Sequence, residues 1–132
     1  MAFNSKRLQQ AHVLLFENLY KKLPEIFPIE DPCAVHGDLW SGNYIISTSG
    51  TSYLIDPSVY YGHSEIDIAM SKLFGRFGPE FYSEYHKIIP KDKFTEERIE
   101  LYQLYYLLVH LNLFGSSYYP SVKNTLNTYF KL

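Results

Sequence analysis

Between Ala34 and Gly62 the chain reads AVHGDLWSGNYIISTSGTSYLIDPSVYYG, and this stretch narrows the fold more than any other. CAV before His36, YII after Asn43 and SYLI before Asp56 are short runs rich in strand-favouring residues. STSGTS, between the last two, has turn chemistry. A small hairpin is therefore expected, with Tyr44–Ser47 pairing with Tyr53–Ile55. Its ends carry an unusual set of polar residues: His36-Gly37-Asp38, Asn43 five residues after that Asp, and Asp56 thirteen residues further on. Either these residues hold turns together, or they hold a metal and a nucleophile.

Around the hairpin the period is helical. Leu8, Ala11, Leu15 and Leu19, with Phe16, Tyr20 and Leu23 alongside, predict an amphipathic helix over Ser5–Leu23, stopped by Pro24. PEIFPIEDP, with three prolines, reads as an extended connector. SEIDIAMSKLF predicts a helix with Ser64 as N-cap, Glu65 and Asp67 in its first turn, and Gly75 and Gly78 as its stop. PEFYSEYHKII takes Pro79 at a first helical position. TEERIELYQLYYLLVHLNLF is apolar nearly all round and predicts the central, most buried helix; a last helix follows over Pro120–Lys131. The expected fold class is mostly α with a small β-hairpin (α+β). One domain, 1–132, is expected: leading helix and connector over 1–32, loop and hairpin over 33–62, helical subdomain over 63–132.

Composition narrows the partners. A length of 132 residues suits one domain with a real core. The net charge of -2 excludes the dense basic surface of nonspecific nucleic-acid binding. One cysteine, Cys33, allows no internal disulfide and no cysteine-based zinc site, which points to a reducing, cytoplasmic setting. The N-terminal residues lack a signal-peptide core and no apolar run is long enough to span a membrane, so a soluble protein without nucleic-acid or membrane partners is expected.

Phosphoryl transfer asks a protein for a carboxylate that orients the acceptor hydroxyl and for hard oxygen ligands to Mg²⁺. HGDLWSGN has the spacing of a kinase catalytic loop, with Asp38 in the base position and Asn43 in a metal position, and LIDPS places Asp56 where a kinase has its second metal-binding Asp. Gly37 departs from protein kinases, which usually carry Arg there, and is similar to small-molecule kinases. Beyond this loop, VHGDLWSGN, IDPSVYYGHSEIDIAM, LFGRFGPEFYSEYHKIIP and LYQLYYLLVHLNLFGSSYY resemble successive motifs of the fructosamine kinase (ketosamine 3-kinase) family, relatives of the aminoglycoside phosphotransferases within the protein-kinase-like fold.

The resemblance runs from about Lys6 to the end of the chain. It implies ATP and Mg²⁺ as cofactors and a ketosamine of the fructosyl-lysine type as substrate, phosphorylated on its sugar 3-hydroxyl. The 3-phosphate then decomposes, a repair of glycated amines or proteins. It further implies Asp38 as catalytic base, with Asn43 and Asp56 as metal ligands. Asp67 resembles the early-helix Asp that supports the catalytic-loop backbone in kinase-like folds, with a plain first-turn charge as the rival reading, and Trp40, two residues after Asp38, is either a platform against the sugar or core packing. His36 is expected to orient the loop by hydrogen bonds, and His110 to be a satisfied core histidine. Tyr-rich positions around His110 are read mostly as core.

Kinase-like folds cover ATP with an N-terminal lobe carrying a glycine-rich loop and a strand-borne lysine, and neither precedes His36. The chain is thus expected to be a catalytic C-lobe with its N-terminal lobe absent, weak or inactive alone, with exposed apolar surface inviting self-association or a separate lobe. A non-catalytic remnant serving as a binding module is the alternative. A hydrolase using Asp38 and Asp56 as acid and base is a weaker one, since it leaves Asn43 without a role.

Overall fold

The computed structural model describes residues 10–130, with side chains from residue 12 to residue 128. In chain order the elements are α1 (Gln10–Ile26), β1 (Cys33–Val35), β2 (Tyr44–Ile46), β3 (Ser52–Leu54), β4 (Tyr60–Gly62), α2 (Glu65–Leu73), α3 (Pro79–Ile88), α4 (Thr95–Phe114) and α5 (Tyr119–Phe130), with one 3₁₀ turn over Ser116–Tyr118. The chain is mostly helical with small antiparallel sheets, and it forms two compact units, residues 29–99 and residues 1–28 with 100–132.

The expected hairpin forms as β2 and β3, with Tyr44 opposite Leu54 and Ile46 opposite Ser52. Ser47 and Thr51 close the turn through backbone and hydroxyl bonds. A second antiparallel pair, unforeseen, joins β1 to β4, Cys33 opposite Gly62 and Val35 opposite Tyr60. YYG lacks the alternation that marks a strand, and it is ordered by a partner distant in sequence. The two sheets clamp residues 36–43 at both ends.

Within the same unit, Val35, Leu39, Ile68, Ala69, Met70 and Ile99 are buried. Ser64 takes the expected N-cap position of α2, but its side chain makes no capping bond and its backbone lies in the helical region. Its amide instead donates to Glu30 Oε1 (3.3 Å), and its carbonyl accepts from the Tyr85 hydroxyl (3.1 Å), which ties α3 to the start of α2. Burial pushes that Tyr85 hydroxyl above its ordinary pKa.

In the other unit, α1 continues to Ile26 with Pro24 inside it. The expected stop at Leu23 fails because proline within a last turn removes only one amide, and the Phe27 amide still reaches the Leu23 carbonyl (2.9 Å). Residues 5–9 of the expected helix, and its Leu8, lie outside the described residues. Leu15, Leu19, Leu104, Leu107, Leu111, Val122 and Leu126 are buried, each contributing about 1.5–3 kcal/mol of transfer free energy. His110 Nδ1 bonds the Tyr106 carbonyl (2.8 Å) and its ring meets Phe114 and Tyr118, so it is a satisfied histidine of this helix.

Candidate active site

The loop over residues 36–43 owes its shape to one helix terminus. Asp67, in the first turn of α2, accepts from the His36 amide (2.7 Å) on one carboxylate oxygen and from the Gly37 amide (2.9 Å) on the other. Charge-assisted bonds of this kind are stronger than neutral ones, and two from one carboxylate fix the peptide plane between them. Gly37 has φ 80°, and a Cβ there would overlap the Ser58 carbonyl oxygen. Glycine is therefore required at the position where protein kinases carry arginine.

His36 joins both sides of the loop. Its Nδ1 accepts from the Asp38 amide (3.3 Å) and its Nε2 lies 3.1 Å from the Ile55 carbonyl, a pattern made by the Nε2–H tautomer. Its carbonyl takes the Ser58 amide (2.8 Å). The imidazole is thus engaged as a brace, with both nitrogens used on backbone.

Asp38 is half-buried and Asn43 buried. Asn43 Nδ2 donates to the Asp38 carbonyl (2.9 Å) and to Asp38 Oδ2 (2.8 Å), while the Asn43 amide bonds the Trp40 carbonyl (3.0 Å). One Asp38 oxygen is held by this amide, and Oδ1 makes no hydrogen bond among the described residues. The Asn43 carbonyl accepts from the Ile55 amide (3.0 Å), so Asp56 follows directly on the residue bonded across to Asn43. Asp56 is exposed and takes φ 53°, the left-handed region that Asp tolerates better than most residues.

These side chains suit a magnesium ion. With Nδ2 committed to Asp38, Asn43 presents its oxygen, and Asp56 makes no hydrogen bond or ion pair among the described residues. Hard oxygen donors, one amide and one carboxylate, are the set Mg²⁺ accepts while keeping most of its water. Among the described residues no three His, Cys, Asp or Glu side chains gather at one point, a pattern such an ion does not need.

Trp40 is about one-third exposed and its ring lies over the Gly42 backbone. The loop is also held from the side by the segment after α2. Gly75, with φ 114°, packs on Ser41 so closely that a Cβ would overlap its Oγ, and Phe77 meets the Tyr44 ring edge-on at 5.3 Å.

Beneath Asp67 lies a charge network that the residue pattern did not reveal. Arg98, in the first turns of α4, donates from Nε and one terminal nitrogen to both oxygens of Glu65 (2.7 Å each). Its terminal nitrogens also donate to both oxygens of Asp92 (3.0 and 2.9 Å). Glu65 and Arg98 are buried, and Asp92 is half exposed. The hydrogen bonds from Arg98 hold the Asp92 carboxyl down at about 2, and the same pair of carboxylates raises the Arg98 guanidinium. Glu65 is thus the anchor of α2 two residues before Asp67, a role beyond the first-turn charge its position suggested. The one available signal was a lone arginine in an otherwise apolar helix face.

The loop between β1 and β2 thus carries an acidic side chain held by an asparagine, with a second carboxylate, Asp56, just beyond β3. By structure, 99% of the chain superposes on 46% of the crystal structure of a Thermobifida fusca protein assigned as a fructosamine-3-kinase, with a TM-score of 0.84 at 32% identity. By sequence the chain is 51% identical over 98 residues to a Lactiplantibacillus plantarum protein assigned as a ketoamine kinase, covering 74% of this chain and 35% of that one. It is 43% identical over 114 residues to mouse ketosamine-3-kinase, covering 85% of this chain and 37% of that one. The model of the family described as fructosamine kinase matches residues 2–131, and the chain belongs to that family. It spans about a third of the length of the curated relatives it matches. Among the described residues no helix is long and apolar enough to cross a membrane.

Proposed function

We infer that this chain is the catalytic C-lobe of an ATP-dependent ketosamine 3-kinase with a protein-kinase-like fold, a single working domain, acting in the cytoplasm on fructosamines formed on amines. The observation that carries the reading is the grip of Asn43 on Asp38 within a loop whose backbone is fixed by Asp67. Membership of the fructosamine kinase family supports the sugar-amine class of acceptor.

Asp38 Oδ1 accepts the proton of the sugar 3-hydroxyl as that oxygen attacks the γ-phosphorus of ATP. The bond from the γ-phosphorus to its bridging oxygen breaks and ADP leaves. Asn43 keeps the carboxylate turned to the hydroxyl, and Trp40 offers an aromatic face to the apolar side of the sugar. Asn43 and Asp56 would hold Mg²⁺, which would supply charge neutralisation at the phosphates. His36 and Asp67 position the loop and touch no reacting atom.

The exposed side chains of Ile45, Ile46, Tyr53 and Leu54 leave apolar surface on both faces of the β2–β3 hairpin, and Val59 and Tyr61 add more at β4. This surface is proposed as the place where a nucleotide-binding lobe, or a second copy, would sit. Alone, the chain is expected to bind Mg-ATP weakly and to turn over slowly or not at all. Calorimetry on the monomeric chain tests this: submicromolar affinity would defeat the split-site reading. Mass-spectrometric detection of phosphorylated fructosyl-lysine tests the chemistry. Any product formed should vanish with Asp38→Asn, whereas a binding module would be indifferent to that change.

A further inference from the structure

The six Lys and Arg side chains of the unit over residues 29–99 divide sharply. Lys72 and Lys91 both reach Glu96, Lys87 pairs with Glu84, Lys93 lies 4.4 Å from the centre of the Phe94 ring, and Arg98 is shared between Glu65 and Asp92. Of these six, Arg76 alone makes no hydrogen bond, ion pair or ring contact with the described residues, and it is exposed. Its backbone is nevertheless fixed. On one side Gly75 is pressed against Ser41; on the other Phe77 packs on Tyr44 and Phe81 (4.7 Å between centroids), and its amide bonds the Tyr82 hydroxyl (3.3 Å). Ser41 and Tyr44 flank Asn43, so the one uncommitted guanidinium of this unit is tethered at both neighbours to the loop that carries Asp38.

We propose that Arg76 reads the acceptor substrate, binding a terminal oxyanion group, carboxylate or phosphate, on a ketosamine whose sugar lies at Asp38. The proposal rests on the kinase reading above and adds to it the class of acceptor. A guanidinium offers two parallel N–H donors to a planar carboxylate or to a phosphate, and no existing ion pair has to break for it to do so. A free glycated amino acid carries a carboxylate near its amine, and a sugar-phosphate adduct carries a phosphate; a glycated lysine side chain within a polypeptide carries neither close by. Arg76 therefore favours small anionic ketosamines over protein-borne ones.

The test is titration of the isotopically labelled full chain, followed at the Arg76 side-chain N–H and the Trp40 indole, with three ligands. They are the fructose adduct of butylamine, the fructose adduct of γ-aminobutyrate, and the 6-phosphofructose adduct of butylamine. A charge-assisted bond predicts that one or both anionic adducts bind about tenfold or more tighter than the neutral one. Which of them gains separates carboxylate from phosphate. Arg76→Ala should abolish the gain and leave the neutral adduct unchanged, and Arg76→Lys should restore part of it. Equal affinity for all three adducts, or a gain that survives Arg76→Ala, overturns the proposal. Inorganic phosphate keeps the two readings distinguishable. If no ketosamine binds but phosphate still shifts the Arg76 signal saturably, and Arg76→Ala removes saturable phosphate binding, the anion site stands and the ketosamine reading falls. If neither phosphate nor any adduct gives an Arg76-dependent response, the anion site is refuted.

Discussion

Replacing Arg98 by methionine should be among the most damaging single changes to the unit that holds the loop. The side chains of Arg98 and Glu65 are 4% and 7% exposed, and two bonds of 2.7 Å join them. Removing the guanidinium leaves Glu65 buried without its cation, so it must either stay charged in a dry site or take up a proton. Breaking a buried pair in this way costs about 3–5 kcal/mol, a large part of the roughly 5–15 kcal/mol that holds an ordinary domain together. Removing both charges together, Glu65→Leu with Arg98→Met, should cost far less, because a buried pair contributes little against an apolar replacement. Trp40 is the only tryptophan and lies in this unit, so its fluorescence in urea reports the loss directly. Amide exchange at His36 and Gly37 should accelerate in the single variant, since Glu65 anchors the helix turn that carries Asp67. A single variant within about 1 kcal/mol of the parent, or a double variant as unstable as the single, would refute the reasoning.

Three further outcomes follow from the loop geometry. Gly37→Ala should destabilise by about 2 kcal/mol or more, the left-handed penalty added to overlap with the Ser58 carbonyl, readable from urea midpoints. Asp56→Gly should stay within about 1 kcal/mol of the parent, because relief of its φ of 53° offsets the added chain entropy, yet it should abolish Mg²⁺-dependent shifts of the Asn43 side-chain amide in a magnetic resonance titration. The folded-state Asp92 carboxyl lies at about 2, below its ordinary value of 3.8, so its contribution is complete above about pH 4 and fades as pH falls towards 2. Asp92→Asn should flatten that part of a stability-against-pH curve.

Local chemistry was legible where it is local. The STSGTS turn and the β-favouring runs beside it placed β2 and β3 within a residue or two, and Pro79 opens α3 as its fixed φ favours. His36, Asp38 and Asn43 could be singled out because their types and spacing are a local pattern, whereas the support role of Asp67 came from the resemblance to kinase-like folds. What the pattern withheld depends on residues far apart. The β1–β4 pair, the seat of Gly37 against Ser58, the contact of Gly75 with Ser41 and the Glu65–Arg98 bond join segments separated by about twenty residues or more. Ser64 takes the N-cap position its type suggested, but the bond of its amide to Glu30 joins residues 34 apart and no local rule supplies it.

Most direct for the central claim is phosphoryl transfer by a chain in which residues 1–132 replace the matching C-terminal part of mouse ketosamine-3-kinase, assayed with Mg-ATP and fructosyl-lysine. The expected result is a product heavier by one phosphoryl group, with the rate reduced at least a hundredfold by Asp38→Asn while Mg-ATP affinity holds. A folded, Mg-ATP-binding hybrid that makes no phosphorylated product, or one indifferent to Asp38→Asn, would contradict the assignment of Asp38 as the base.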